Sequence, residues 1–189
     1  MNWRNTKHHY GALSMALHWA MLLLIAAVYA SIELRGFFPK GSGLRQDMKT
    51  WHFMLGLSVL LLAMLRLAVA LTSTVPRIQP EPARWQHRLA RLAHFALYGL
   101  MFGMPLLGWL ALSAQGKSIP FFGMQLPQLV AENRSLADWA EDIHEAFGSV
   151  GYALIGVHAA AALFHHYLIR DNTLRRMLPW GRTDGTRLP

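Results

Sequence analysis

The chain contains no cysteine among its 189 residues. That absence excludes disulfides, thiolate-held iron–sulfur clusters and the Cys-x-x-Cys-His attachment of a c-type haem. It also lacks a Gly-rich phosphate loop or dinucleotide fingerprint, so the sequence gives no sign of a nucleotide of its own. Charge is scarce as well: 15% of residues are charged and 53% are hydrophobic, where a soluble domain is about 25% charged. Long stretches hold no Asp, Glu, Lys or Arg at all. His8–Ile32 and Leu92–Gly116 each run for 25 residues and Ala146–Ile169 for 24, while Thr50–Leu65 runs for 16 and continues past a lone Arg66 to Val75. A bilayer crossing needs roughly 20 apolar residues at 1.5 Å rise. The expected fold is an all-α integral membrane protein, a four-transmembrane-helix bundle with helices at about 12–34, 50–71, 92–115 and 144–170. Residues 1–180 are expected to form one membrane domain, followed by a loose tail over 181–189.

The net charge of +8 is read through its distribution, not as a nucleic-acid signal. With four crossings both termini share a side, and twelve Lys and Arg residues fall there against six on the other. The positive-inside rule then places both termini on the cytoplasmic side. The first apolar run is too long for a signal peptide and no small-residue cleavage site follows it. Between the third and fourth helices, Pro120 and Pro127 suggest an irregular segment, and Ser135-Leu-Ala-Asp138 reads as a capping-box helix start. Trp51, Trp109, Phe121 and Trp139 suit an interfacial aromatic belt.

Ten histidines are present, and seven of them (His18, His52, His94, His144, His158, His165 and His166) lie in or at the ends of expected membrane helices. Ionisable side chains there are costly, face the bundle interior and are functional candidates, although a hydrogen bond to a neighbouring helix is the bland alternative. At 100° per residue His144 and His158 lie about 40° apart on one face, and His158 and His165 about 20° apart. His144 and His158 are separated by about 21 Å along the axis. His52 and His144 both begin helices on the outer side. His18 lies about 16 Å past Lys7, and His158 about 18 Å before Arg170. Two cross-helix pairs therefore match in depth, His52 with His144 and His18 with His158; His94, three residues past Arg91, is too shallow to match His158. Two such pairs suit two six-coordinate b-type haems in a bundle core. Zinc fits less well, since a structural site wants four closed ligands. Gly56, Gly148, Gly151 and Ala159–Ala162 permit a flat macrocycle or close helix packing. Two haems across a membrane make a path for electrons.

Several blocks carry a family resemblance over nearly the whole chain. They are Leu17-His-Trp19, Glu33-Leu-Arg-Gly-Phe-Phe-Pro39, His52, His94, the run Gly151-Tyr-Ala-Leu-Ile-Gly-Val-His-Ala-Ala-Ala-Ala-Leu-Phe-His-His-Tyr167, and Asp171-Asn-Thr-Leu-Arg-Arg-Met177. The chain resembles the bacterial cytochrome b561 family, and closely its superoxide oxidase members, which oxidise superoxide and reduce ubiquinone. The resemblance implies two haem b groups with His18, His52, His144 and His158 as iron ligands, and an enzyme that acts without an obligatory protein partner. Such an activity needs an outer site for a small anion and a site for a quinone. Arg35, Lys40, Arg45 and Lys49 cluster in the first outer loop and suit electrostatic steering of superoxide. A solvated loop, or contact with the acidic second outer loop (Glu132, Asp138, Glu141, Asp142, Glu145), is the alternative. His94, His165, His166, Trp19 and Tyr167 lie near the inner pair and suit quinone or haem-propionate contacts, with interfacial anchoring as the alternative. Two other functional readings stand beside this one. One is a cytochrome b subunit linking a partner dehydrogenase or hydrogenase to the quinone pool. The other is a haem-free transporter, which the lack of intramembrane carboxylates disfavours.

Overall fold

In a computed structural model, residues 2–179 are described, so the expectation for 181–189 lies outside the described residues. Four long helices form: α1 (Ala12–Leu34), α2 (Gly43–Thr72), α3 (Arg84–Ala114) and α4 (Arg134–Phe164). Each lies within an apolar span long enough to cross a membrane, with mean hydropathy between 1.6 and 2.3. The surface is apolar where a soluble protein's is polar: Leu23 is 70% exposed, Phe95 77% and Val157 65%. That pattern suits side chains solvated by lipid tails.

Three helices begin earlier than the charge-free runs suggest: α2 at Gly43, α3 at Arg84 and α4 at Arg134. A run without charges marks only the part of a helix that lies in hydrocarbon. Arg, Lys, Glu and Gln are good helix formers, so the helix continues past it into water. The start of α4 is capped by Asn133, whose side-chain oxygen accepts the Leu136 N–H at 3.0 Å, so the Ser135 capping box is replaced by an Asn cap two residues earlier. The segment before it is not irregular throughout. Strands β1 (Ile119–Phe121) and β2 (Met124–Leu126) pair antiparallel, with Ile119 opposite Leu126. The two-residue turn places Phe122 at φ 45° and Gly123 at φ 86°, the left-handed geometry that suits a tight hairpin.

The described chain divides into two compact units. One comprises Ala20–Met64 and Tyr98–Gly151. Its core is Met21, Val59, Ala63 and Met101, flanked by Leu24, Ile25, Val28 and Phe102. A second cluster places Leu57, Leu112 and Ile119 against Phe53, Trp109, Phe121 and Leu126, fixing the hairpin on the helix ends. The Trp109 indole N–H donates to the Pro127 carbonyl at 3.0 Å. Trp109 and Phe121 thus hold the loop, whereas Trp51 and Trp139 stay about half exposed, as membrane-interface anchors do. The Tyr29 hydroxyl donates to the Gly148 carbonyl at 2.9 Å. A Cβ added at Gly151 would meet that hydroxyl and a Leu100 methyl. Gly151→Ala is expected to cost about 1–3 kcal/mol through this overpacking, read as a lower thermal midpoint in detergent.

The other unit comprises the chain up to Trp19, Leu65–Leu97, and the chain from Tyr152 onward. The segment 171–177 ties it together. Asn172 exchanges two hydrogen bonds with Gln79, donating its N–H to the Gln79 carbonyl at 3.1 Å and accepting the Gln79 N–H at 2.9 Å. Arg176, buried, donates to the Pro76 carbonyl and lies over the Tyr10 ring at 5.5 Å. Burial lowers the Arg176 guanidinium from its ordinary value, and the charges of Tyr10 and Asp171 act in the opposite sense.

Candidate functional site

In the first unit described, α2 and α4 bring His52 and His144 together, with ring centroids 6.1 Å apart and planes at 76°. His52 Nδ1 lies 3.1 Å from the Val28 carbonyl of α1. A carbonyl can only accept, so Nδ1 carries the hydrogen and Nε2 keeps its lone pair. His144 Nδ1 is buried and lies near the Met104 backbone without reaching hydrogen-bonding geometry. The ring sits against α3 because position 108 is glycine: a Cβ there would stand 3.3 Å from His144 Cε1. Gly56, one turn after His52 and on the same face, has nothing within 4 Å of an added Cβ.

In the second unit, α1, α3 and α4 bring together His18, His94 and His158. The His18–His158 centroids are 6.3 Å apart and those of His94–His158 5.6 Å. His94 is not too shallow after all. Depth counted from Arg91 fails because α3 begins at Arg84, which puts His94 about 15 Å into the helix. Sequence reasoning also missed Arg66 of α2, whose guanidinium donates to His18 Nδ1 at 2.9 Å. With that contact the neutral ring keeps its hydrogen on Nε2. A ring holding iron through Nε2 carries it on Nδ1, so iron binding by His18 would give up the Arg66 contact at that nitrogen.

Both pairs fit a haem. One imidazole nitrogen at about 2 Å on each face of an iron sets the ring centroids about 6 Å apart, close to the 6.1 and 6.3 Å observed. Among the described residues no three His, Cys, Asp or Glu side chains converge on a point that could hold a metal ion. Neither the His52–His144 pair nor the group of His18, His94 and His158 offers the four closed ligands of structural zinc, whereas two facing imidazoles suit a macrocycle supplying four further ligands.

Of the four basic residues in the first outer loop, Arg35, Arg45 and Lys49 line a cavity of about 370 Å³ together with Gly41, Ser42 and Gln46. Lys40 does not line it, and neither does any acidic side chain. Arg45 has a structural task as well, since one guanidinium nitrogen donates to the Arg35 carbonyl at 3.0 Å and the Phe38 carbonyl at 2.9 Å. Lys49 stands 5.7 Å from the Phe53 ring centroid. It lies within electrostatic reach of Arg35, Lys117 and Glu141, so the acidic loop touches this cluster at one point. Arg35 and Lys49 also reach His52 electrostatically.

The five side chains assigned to quinone or propionate contacts separate. His94 joins the His18–His158 group. The Trp19 indole N–H is used by the Met177 carbonyl at 2.8 Å. Tyr167 is 67% exposed and its ring meets His166 at 4.8 Å, while His166 Nδ1 is buried without a hydrogen-bond partner. His165 Nδ1 lies 2.5 Å from a carboxylate oxygen of Asp171, a partner that sequence reasoning did not single out for this role. Burial works to raise the Asp171 carboxyl, but hydrogen bonds from His165 and the Thr173 N–H outweigh it and hold the group below the usual carboxylate range.

Comparison with known proteins places this geometry in context. The family described as Prokaryotic cytochrome b561 matches residues 9–180. The chain is 40% identical over 172 residues to "Cytochrome b561 homolog 1" of Escherichia coli, covering 91% of this chain and 98% of the relative. It is 38% identical over 170 residues to "Probable superoxide oxidase CybB" of Yersinia pestis, covering 90% and 96%. "Cytochrome b561 homolog 2" of Escherichia coli is 28% identical over 185 residues, covering 97% and 98%.

Proposed function

The chain belongs to the prokaryotic cytochrome b561 family, bacterial multi-pass membrane electron-transfer proteins that bind b-type haem, and on that premise we propose that it is a superoxide:ubiquinone oxidoreductase holding two haems. His52 and His144 hold one, His18 and His158 the other. The observation that carries the reading is the basic cavity of Arg35, Arg45 and Lys49 within electrostatic reach of His52. The name of the Yersinia pestis relative supports it. When bound, the haems supply one-electron carriers between donor and acceptor.

The chain's own residues do the rest. Arg35 and Lys49 draw a small anion toward the His52 side, raising its local concentration. Val28 fixes the His52 tautomer and Gly108 admits the His144 ring against α3, so both imidazoles are oriented before the cofactor arrives. At the other site His165, with His166 nearby, offers hydrogen bonds to a quinone carbonyl. The charge distribution supports cytoplasmic termini, with the basic cavity on the opposite, periplasmic side. Two superoxide ions give two electrons and leave as oxygen; with two protons those electrons convert ubiquinone to its quinol.

The test uses purified, oxidised protein without any partner, exposed to a superoxide generator while the haem absorption bands are followed. Fast reduction abolished by superoxide dismutase is expected. Red protein that stays oxidised overturns the reading and favours an electron-transfer subunit serving a partner dehydrogenase or hydrogenase.

A further inference from the structure

Regular α-helix in α4 stops at Phe164, and His165–Ile169 form a π-helical turn. Single π-turns inside helices are rare and recur at functional sites, because the extra residue re-aims the side chains around it. Arg170 follows at φ 60°, and the Asp171 N–H returns to the His165 carbonyl at 3.2 Å. The chain doubles back and sets the Asp171 carboxylate on His165 Nδ1 at 2.5 Å. The other carboxylate oxygen accepts the Thr173 N–H at 2.8 Å, so both oxygens are engaged.

Anchoring does not explain this pair. Asn172, Arg176 and the Met177 carbonyl already tie the segment to Gln79, Pro76 and Trp19. Accessibility separates the two partners: the Asp171 side chain is fully buried and that of His165 is 19% exposed. A carboxylate can only accept, so Nδ1 carries a hydrogen, and Nε2 is the nitrogen left to exchange a proton with an outside molecule. A buried carboxylate that orients an imidazole and stabilises its cation is a recurring proton-transfer device.

We propose that His165 delivers a proton to the quinone carbonyl oxygen during its reduction, and that Asp171 is the positioning residue that holds the ring for this transfer. The proposal rests on the reading that this protein reduces ubiquinone. As two electrons arrive at the quinone, the His165 Nε2–H bond breaks and an O–H bond forms on one carbonyl oxygen. The ring recovers its proton from water on the same side, and water there supplies the second proton of the quinol. The charged and titratable groups around the pair are Arg176, within electrostatic reach of Asp171 from the anchoring segment, and His166 and Arg170 beside it in the chain; Tyr10 lies under Arg176.

The experiment compares wild type, Asp171→Asn, Asp171→Glu and His165→Gln by rapid mixing of superoxide-reduced protein with a short-chain ubiquinone, in H2O and in D2O. Haem content and reduction by superoxide should match wild type in all three variants. For Asp171→Asn the maximal rate of reoxidation should fall about tenfold or more, with unchanged half-saturation by quinone and a larger solvent isotope effect. Asp171→Glu should recover much of the loss. His165→Gln should reproduce it, and it serves as the decisive variant if Asp171→Asn does not retain haem. Wild-type reoxidation in both Asp171→Asn and His165→Gln overturns the proposal, as does a loss confined to half-saturation with no change in isotope effect. If ubiquinone does not oxidise the reduced wild type, the parent reading falls instead.

Discussion

His52→Ala is expected to remove one of two low-spin haem signals and to halve the haem bound per chain. Among the described residues two imidazoles meet at this site, with no third histidine ring against them as His94 is at the other. His144→Ala should give the same result, since a six-coordinate iron needs both rings. The site of His18, His94 and His158 allows a sharper comparison. Three rings lie there, with His94 closer to His158 than His18 is. If His18 and His158 are the ligands, His18→Ala and His158→Ala each lose the second low-spin signal, whereas His94→Ala keeps it. The readout is low-temperature electron paramagnetic resonance with extracted haem counted against protein. Loss of the signal in His94→Ala with retention in His18→Ala would exchange the two residues' roles. The Arg66 contact on His18 Nδ1 makes this comparison worth making first.

Reversing two charges at the basic cavity should slow the reaction with superoxide by roughly 10- to 1,000-fold at low salt, the range over which electrostatic steering acts. The double variant Arg35→Glu, Lys49→Glu changes the local charge from attractive to repulsive for an anion. In the wild type, added salt screens attraction and slows the reaction; in the variant, salt screens repulsion and speeds it. Arg45 is left in place because its guanidinium holds the Arg35 and Phe38 carbonyls, and removing it would disturb the turn as well as the field. Lys40, outside the cavity lining, serves as the control, with Lys40→Glu expected to act weakly. A wild-type rate that does not respond to salt contradicts steering.

The middle of each helix was plain in the sequence and its ends were not. Hydrocarbon excludes charge, so the charge-free runs mark the bilayer-depth residues well, but water tolerates charged helix. Residues 43–49 and 84–91 therefore continue their helices without a sign in the charge pattern, whereas the Ser135-Leu-Ala-Asp138 start does mark the early beginning of α4 at Arg134. The same effect hid the depth of His94. The hairpin at Ile119–Leu126 was obscured by Pro120, which is tolerated in a two-stranded ribbon that leaves its N–H side unpaired, and by Phe122 in a left-handed turn position that seldom takes an aromatic residue. Helical periodicity and depth counting follow from rise and rotation alone; they bring His52 to His144 and His18 to His158 but leave out His94, which also meets His158. They could not show what side-chain donors do once packed. Arg45, expected in a cluster that steers superoxide, also clamps a turn through the Arg35 and Phe38 carbonyls; Trp19, expected at quinone or haem-propionate contacts or as an interfacial anchor, donates to the Met177 carbonyl. Asp171 lay in a recognised block, yet its contact with His165 depends on a π-turn that periodicity does not reveal.

The claim on which the rest depends is that the two imidazole pairs each hold a haem. The most direct measurement is the haem-to-protein ratio of the purified chain by pyridine haemochrome, taken together with the spin state of the oxidised form. Two haem b per chain, both low-spin and six-coordinate, are expected. A single haem per chain, or a stoichiometric high-spin signal, would contradict it.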